Sequence, residues 1–469
     1  IDDIGLGRDE VEAELPLERA KCLLDSADDE PDEATRLSLI GEAKDGFTTF
    51  LKATPGHPRA SEAYLALARL SALAAKAQLV KARRIDVPAE NEPGRDQALT
   101  KQKAEAAAAR PLFRSAATQF KSAADKIGAQ LAAGGGDAAA RRNLLTAKID
   151  AELASGVNQM YLGDTYIDAT PAEKKERADI IDGARKEFQA IVDRKETPAR
   201  VSWVARAWMA ECEYQKDNNK TAIAEFDAVL KSTQPDAEDG KRVAKYFGIR
   251  HKRAAGDAGV EKDCREWLGK YGGNRRAQAE AVAVRWYLAD TLHAEGDRIS
   301  SLVKAPAGSK TLPPPPATAL PKYREAEKLY RVISQTDNEY TTRATKRRMT
   351  CVRRLLGEAD RPPASYKTFE EAQMASLIQI SKLFDEEKAD RPEDEEAAKK
   401  YDAGLKDRRL RIVALLEHAR EIATDKDAPA DQTEVLIRLI YFYNQAGMPQ
   451  RGAVLGVAHV LMGIQHRQG

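Results

Sequence analysis

Residues 220–230 read KTAIAEFDAVL. Ala222, Phe226 and Leu230 stand four residues apart, so in a helix they form a stripe along one face. Pro235 follows and stops such a helix. The same order of small residue, aromatic, aliphatic and proline-bearing turn recurs as Ala43, Phe47, Leu51 and Pro55, and as Ala184, Phe188, Val192 and Pro198. Ala326 and Tyr330 open a fourth copy, but Ser334 stands where the aliphatic residue is expected. The small residue lets a neighbouring helix approach, and the aromatic fills the groove between them. Helices this short cannot bury a stripe alone, and stacked neighbours bury it for them.

Composition agrees with helices. The 469 residues include 80 alanines, with 32% charged and only 6% aromatic residues. Ala, Leu, Glu, Lys and Arg favour helix, and too little β-branched or aromatic bulk is present for wide sheets. An all-β, collagen-like or wholly disordered chain is excluded. The fold class expected is an all-α solenoid of short helix pairs with two long hairpins and a proline-rich insertion.

Reading outward, the sequence divides into an acidic segment over 1–33, first helices over 34–94, a long hairpin over 95–170 and shorter pairs over 171–303. An insertion over 304–321 follows, then helices over 322–365, a second hairpin over 366–428 and a last pair over 429–469. Gly134-Gly135-Gly136 turns the first hairpin. Phe113, Ala117, Phe120, Ala124, Ile127 and Leu131 form its outgoing seam, and Leu145, Ile149, Leu153, Gly156 and Met160 form the matching stripe on the return. Tyr401, Leu405, Arg408, Ile412, Leu415, Ala419 and Ile422 do the same in the second. Pro313-Pro314-Pro315-Pro316 must be extended and is expected to project from a turn.

The recurring trios resemble the tetratricopeptide repeat, a helix-turn-helix unit. The best copy is Trp203 to Gln234, in which Met209-Ala210 resembles the Leu-Gly pair of the family's first helix. The turn ATPGHPRASEAYLALARL (residues 53–70) is similar to divergent repeats of bacterial envelope proteins. The resemblance implies a scaffold that binds proteins in a groove lined by first helices. It also carries an expectation of an envelope or periplasmic location.

Chemistry is sparse. No phosphate-cradling loop, His-Glu-x2-His pair or Gly-x-Ser-x-Gly elbow occurs. Gly5 and Gly7 begin a dinucleotide fingerprint that Glu10 breaks. His459 and His466 lack a third ligand, and His57 sits in the Pro55–Pro58 turn. Asn219-Lys220-Thr221 is a formal sequon in a predicted turn. The four cysteines are too far apart in sequence for a zinc or dithiol motif. No cofactor, metal or enzymatic activity is expected, and no run of apolar residues suggests a membrane span.

Net charge is +1, from 75 basic and 74 acidic residues, so no global field favours nucleic acid. Charge is segregated instead. Thirteen acidic and three basic residues lie between Asp2 and Glu33, whereas cations cluster at Lys241–Arg253 and Arg343–Arg354. In the second cluster Arg343, Lys346, Arg347, Thr350 and Arg354 share one helical face, while Ala344, Arg348, Cys351 and Leu355 occupy another. Arg343, Lys346, Arg347 and Arg354 are therefore the candidate partner-binding residues, suited to an acidic segment or carboxylate. Two alternatives stand beside this scaffold reading. One is a self-assembling structural subunit pairing its acidic arm with basic stripes; the other is an anion or nucleic-acid binder.

Overall fold

The computed structural model describes residues 8–29, 33–134, 137–274, 277–303, 313–357 and 361–457. Among these residues no strand occurs, and the protein is all-α. It forms two compact units, residues 1–284 with 337–342, and residues 285–336 with 343–469. The division falls inside one helix rather than at a loop.

The first unit begins with α1 (Arg8–Asp29), α2 (Glu33–Ala53) and α3 (Ala60–Arg84), which share a core around Leu17, Ala43, Phe47, Phe50 and Leu70. The acidic opening is thus a helix folded onto its neighbour. Next come α4 (Arg95–Ala132) and α5 (Ala138–Gly163), the first long hairpin, with Asp137 capping the return. A second core joins α3, α4 and α5 through Leu65, Ala68, Phe120, Ile127 and Ala151. The third spans α5, α6 (Pro171–Asp193) and α7 (Ala199–Gln215), centred on Ile149, Phe188 and Met209. The fourth links α7, α8 (Asn219–Lys231) and α9 (Glu238–Ala254) through Ala222, Phe226 and Phe247. α10 (Val260–Tyr271) packs on α9. Each core is shared by three chain-consecutive helices, and α3, α5 and α7 each serve two of them, which is nearest-neighbour stacking of the solenoid kind.

The second unit contains most of α11 (Gln278–Ser301), then α12 (Leu320–Ser334), α13 (Thr341–Leu356), α14 (Phe369–Glu387), α15 (Glu395–Ile422) and α16 (Pro429–Gln445). A further helix covers residues 449–457. Its main core gathers Phe369, Ile412, Leu416, Leu439 and Phe442.

Several expectations change. The aliphatic member of each trio is not the buried one: Leu51, Val192 and Leu230 are half-buried, while Phe50, Ile191 and Val229, one residue earlier, are buried. The stripe therefore runs at offsets zero, four and seven, the 3.5-residue period of interlocked helices. On that phase the fourth copy is complete, as Ala326, Tyr330 and Ile333 are all buried, and Ser334 lies beside the stripe.

The return stripe of the first hairpin also faces elsewhere. Leu145, Ile149, Leu153 and Met160 pack toward α6 and α7, whereas Leu144, Ala147, Ala151 and Ala154 meet α3 and α4. α5 is thus apolar on two sides. Gly156 belongs to the side facing α6, where Phe188 leaves no room for a side chain.

α3 is likewise used on two sides. Tyr64 and Leu67 are half-buried and Leu70 buried, but Leu73 and Ala74 are exposed, because Leu65, Ala68 and Ala72 turn to α4. Among the described residues α3 is also the helix long and apolar enough to cross a membrane by length and composition, with a window hydropathy of 1.2. That amends the sequence expectation. Here it packs against α2 and α4.

Smaller corrections follow. Asn219 opens α8, so the sequon lies in a helical turn. The insertion's last residues, Leu320 and Pro321, already belong to α12. Of the four prolines, Pro313, Pro315 and Pro316 are half-buried, so this end of the insertion lies against the protein. Gly5, Gly7, His459, His466 and residues 304–312 fall outside the described residues.

Candidate functional site

α13 carries the candidate residues. Ala344, Arg348, Cys351 and Val352 are buried, and Val352 meets Met374 and Ile378 of α14. The opposite face presents Lys346, Arg347 and Thr350 to solvent. Arg343 and Arg354 are half-buried, because both lean onto α11. The Arg343 guanidinium lies 5.2 Å from the centre of the Trp286 ring, and Arg354 stands 3.8 Å from Asp297. Contacts advance in the same direction along both helices, so α11 and α13 run parallel. The structure therefore keeps Lys346 and Arg347 as outward cations and uses Arg343 and Arg354 partly as braces. Arg347 has no carboxylate partner among the described residues.

Beneath this face lies an aromatic box. His293 is 1% exposed, edge-on to Tyr323 and Tyr330 at 5.8 and 5.9 Å between ring centres. Neither ring nitrogen has a hydrogen-bond partner among the described residues, and Asp297 Oδ2 lies 3.7 Å from Nε2. Burial pulls the His293 pKa down, and Arg347 adds to this against the opposing pull of Asp297 and Asp290. The Tyr323 hydroxyl donates to Asp297 at 2.7 Å. Burial, with that bond, pushes the phenol up to about 12, so it remains a donor.

Sequence reasoning placed Arg348 on the apolar face without a reason. The reason is Glu327, 0% exposed, which accepts from Arg348 Nε at 2.8 Å. Glu434 stands 3.8 Å from the same guanidinium and also accepts from Arg438 at 2.5 Å. Arg331 pairs with Asp431 at 2.9 Å. Nothing in the spacing of these residues announces such a network, since its members come from α12, α13 and α16.

The other basic cluster is largely engaged. Arg242 pairs with Glu280, Arg250 and His251 with the buried Glu211, and Lys252 with Asp263 at 2.6 Å. Burial would raise the Glu211 carboxyl, but Arg250 and His251 outweigh it and hold it below the usual range. The acidic opening is engaged too: Arg59 binds Glu14 at 2.6 Å and also grips Glu18. His57 has a structural place beside them, 3.6 Å from Glu14 and edge-on to Phe50. Cys22 is exposed, and the thiols of Cys212, Cys264 and Cys351 are buried and pushed up by that burial.

No family model matches the chain. No curated protein sequence matches it either. Among solved structures, one similar chain is a circular tandem repeat protein with novel repeat topology and enhanced subunit contact surfaces, at 13% identity over 97% of this chain and 96% of that one, with a TM-score of 0.16. A score that low means the two backbones do not superpose, so the all-α reading stands on this chain's own helices.

Proposed function

We propose that the protein is a non-enzymatic helical-repeat scaffold that holds an acidic protein segment on the outward face of α13. The observation that carries the reading is a contrast within one helix. Arg348 is neutralised by Glu327, while Arg347, one residue away, points outward with no carboxylate partner among the described residues. Parallel α11 and α13 resemble successive first helices of tetratricopeptide repeats, which supports a groove-lining role for this face. The self-assembly reading is less favoured, because Glu14 and Glu18 are spent on Arg59 within the chain. The polyanion reading loses most cations of the 241–253 cluster in the same way.

The test is fluorescence anisotropy with a labelled twelve-residue Glu-rich peptide, across a salt series. Binding should weaken as salt screens the charges. Lys346→Glu with Arg347→Glu should lower affinity at least tenfold with helicity unchanged, because both side chains are exposed. Equal binding by that variant sinks the assignment. Arg343 is left in place, since its stacking on Trp286 gives it a structural part.

A further inference from the structure

The first unit contains a groove of about 600 Å³ between α8, α9 and the beginning of α10, lined also by the stacked rings of Tyr214 and His251. Its lining is periodic. On α8, Asn219, Ile223, Phe226 and Leu230 line it at offsets zero, four, seven and eleven. On α9 and its C-terminal cap, Ala244, Gly248, Lys252 and Ala255 line it at zero, four, eight and eleven. Each wall is therefore one helical stripe three turns long, about 16 Å from the rise per residue. Ile223 is 61% exposed, a large aliphatic side chain left without cover. A Cβ on Gly248 would meet nothing within 4 Å, so the floor is open along its middle.

The rim is acidic. Asp227, Asp257, Asp263 and Glu266 border the groove with two cations, Lys245 and Lys252; Lys252 is tied to Asp263 and Lys231 to Asp227 at 2.8 Å, while Lys262 stands 3.9 Å from Glu266, so Asp257 and Glu266 are the carboxylates least engaged. A negative rim around an apolar, helix-length floor selects a cationic amphipathic partner. We infer that this groove docks a three-turn helix of a partner protein, with aliphatic side chains at i, i+4 and i+7 and lysine or arginine at its flanks. The helix enters with its apolar stripe over Gly248 and between Ile223 and Ile249. Its cations meet Asp257 and Glu266. Helix-in-groove recognition buries the face that Ile223 now exposes, and the site is separate from the α13 face in both residues and charge.

The experiment uses the full chain and two synthetic fourteen-residue peptides with identical leucine and alanine positions, one carrying lysine and the other glutamate elsewhere. The lysine peptide should bind saturably, one per chain, and the glutamate peptide at least tenfold more weakly. Gly248→Gln should fold normally, because it fills open space within a helix and replaces a poor helix former. It should cost the lysine peptide at least tenfold in affinity, and so should Ile223→Glu. Absence of binding up to millimolar peptide overturns the inference, as does wild-type affinity in both variants. If light scattering instead shows a dimer that Ile223→Glu makes monomeric, the occupant is a second copy, and the partner-helix assignment falls.

Discussion

Arg348 of α13 reaches Glu327 of α12 in a place where both side chains are buried, with Nε 2.8 Å from Oε1. Glu327→Ala would leave a buried guanidinium with only Glu434, 3.8 Å away, for compensation. Breaking a buried pair from one side costs about 3–5 kcal/mol, whereas replacing both partners by apolar groups of similar volume is often neutral. Glu327→Ala should therefore sharply lower the urea midpoint of the second unit, read by hydrogen exchange in α12 and α13. Glu327→Leu with Arg348→Met should recover most of the loss. A single variant as stable as the parent would show that the pair is solvated.

What the sequence made legible is the helical period, and what it hid is the phase. Ala43, Ala184, Ala222 and Ala326 were visible as small residues before an aromatic, and all four are buried. The choice between the positions seven and eight later was not visible, since Phe50 and Leu51 are both apolar, as are Ile191 and Val192. Only contact from the next helix decides it. Two-sided helices such as α5 obscure phase further, because nearly every turn offers an apolar residue to some neighbour. Of the site, the cationic face of α13 was readable from spacing. The partners of Arg343, Arg348 and Arg354 lie on other helices, and a local pattern does not contain them.

Gly156 tests the close packing of α5 on α6. A Cβ there would stand 2.6 Å from Phe188 Cε1, inside any real contact distance. Two effects oppose each other in Gly156→Ala. Helix propensity favours alanine by about 1 kcal/mol, and overpacking opposes it by about 1–3 kcal/mol. Phe188 is 0% exposed and closely packed, so the clash should win and the thermal midpoint should drop. Adding Phe188→Leu should return part of that loss relative to Phe188→Leu alone. A rise in midpoint for Gly156→Ala would mean that the helices separate freely.

His293 gives the second unit a pH dependence whose sign follows from its burial. The folded-state pKa is lowered, by desolvation first, with Asp297 and Asp290 opposing and Arg347 and Arg354 assisting. The unfolded state, with an ordinary pKa near 6.5, then binds the proton more readily. This contribution is intact above about pH 6.5 and is lost as pH falls from there toward the lowered folded value, at no more than about 1.4 kcal/mol per pH unit. His293→Phe keeps a ring between Tyr323 and Tyr330 and removes the proton. Stability of the second unit, measured by denaturant titration from pH 7.5 to 5, should decline less steeply in the variant. Parallel curves would assign the acid sensitivity to other groups.

The phase of the stripe is testable at Ile333 and Ser334, adjacent residues that the two readings rank in opposite order. On an eight-residue offset Ser334 is the empty hydrophobic position, and Ser334→Leu should stabilise by filling it. With the offset of seven seen here, Ile333 is 1% exposed and already fills the site, while Ser334 returns a hydrogen bond to the Arg331 carbonyl at 2.9 Å. Ile333→Ala should then cost about 2–5 kcal/mol, as expected for a large buried aliphatic side chain. Ser334→Leu should change stability by less than about 0.5 kcal/mol, as for a substitution away from the core. Denaturant unfolding of the two variants decides between the phases, and a stabilised Ser334→Leu would restore the eight-residue stripe.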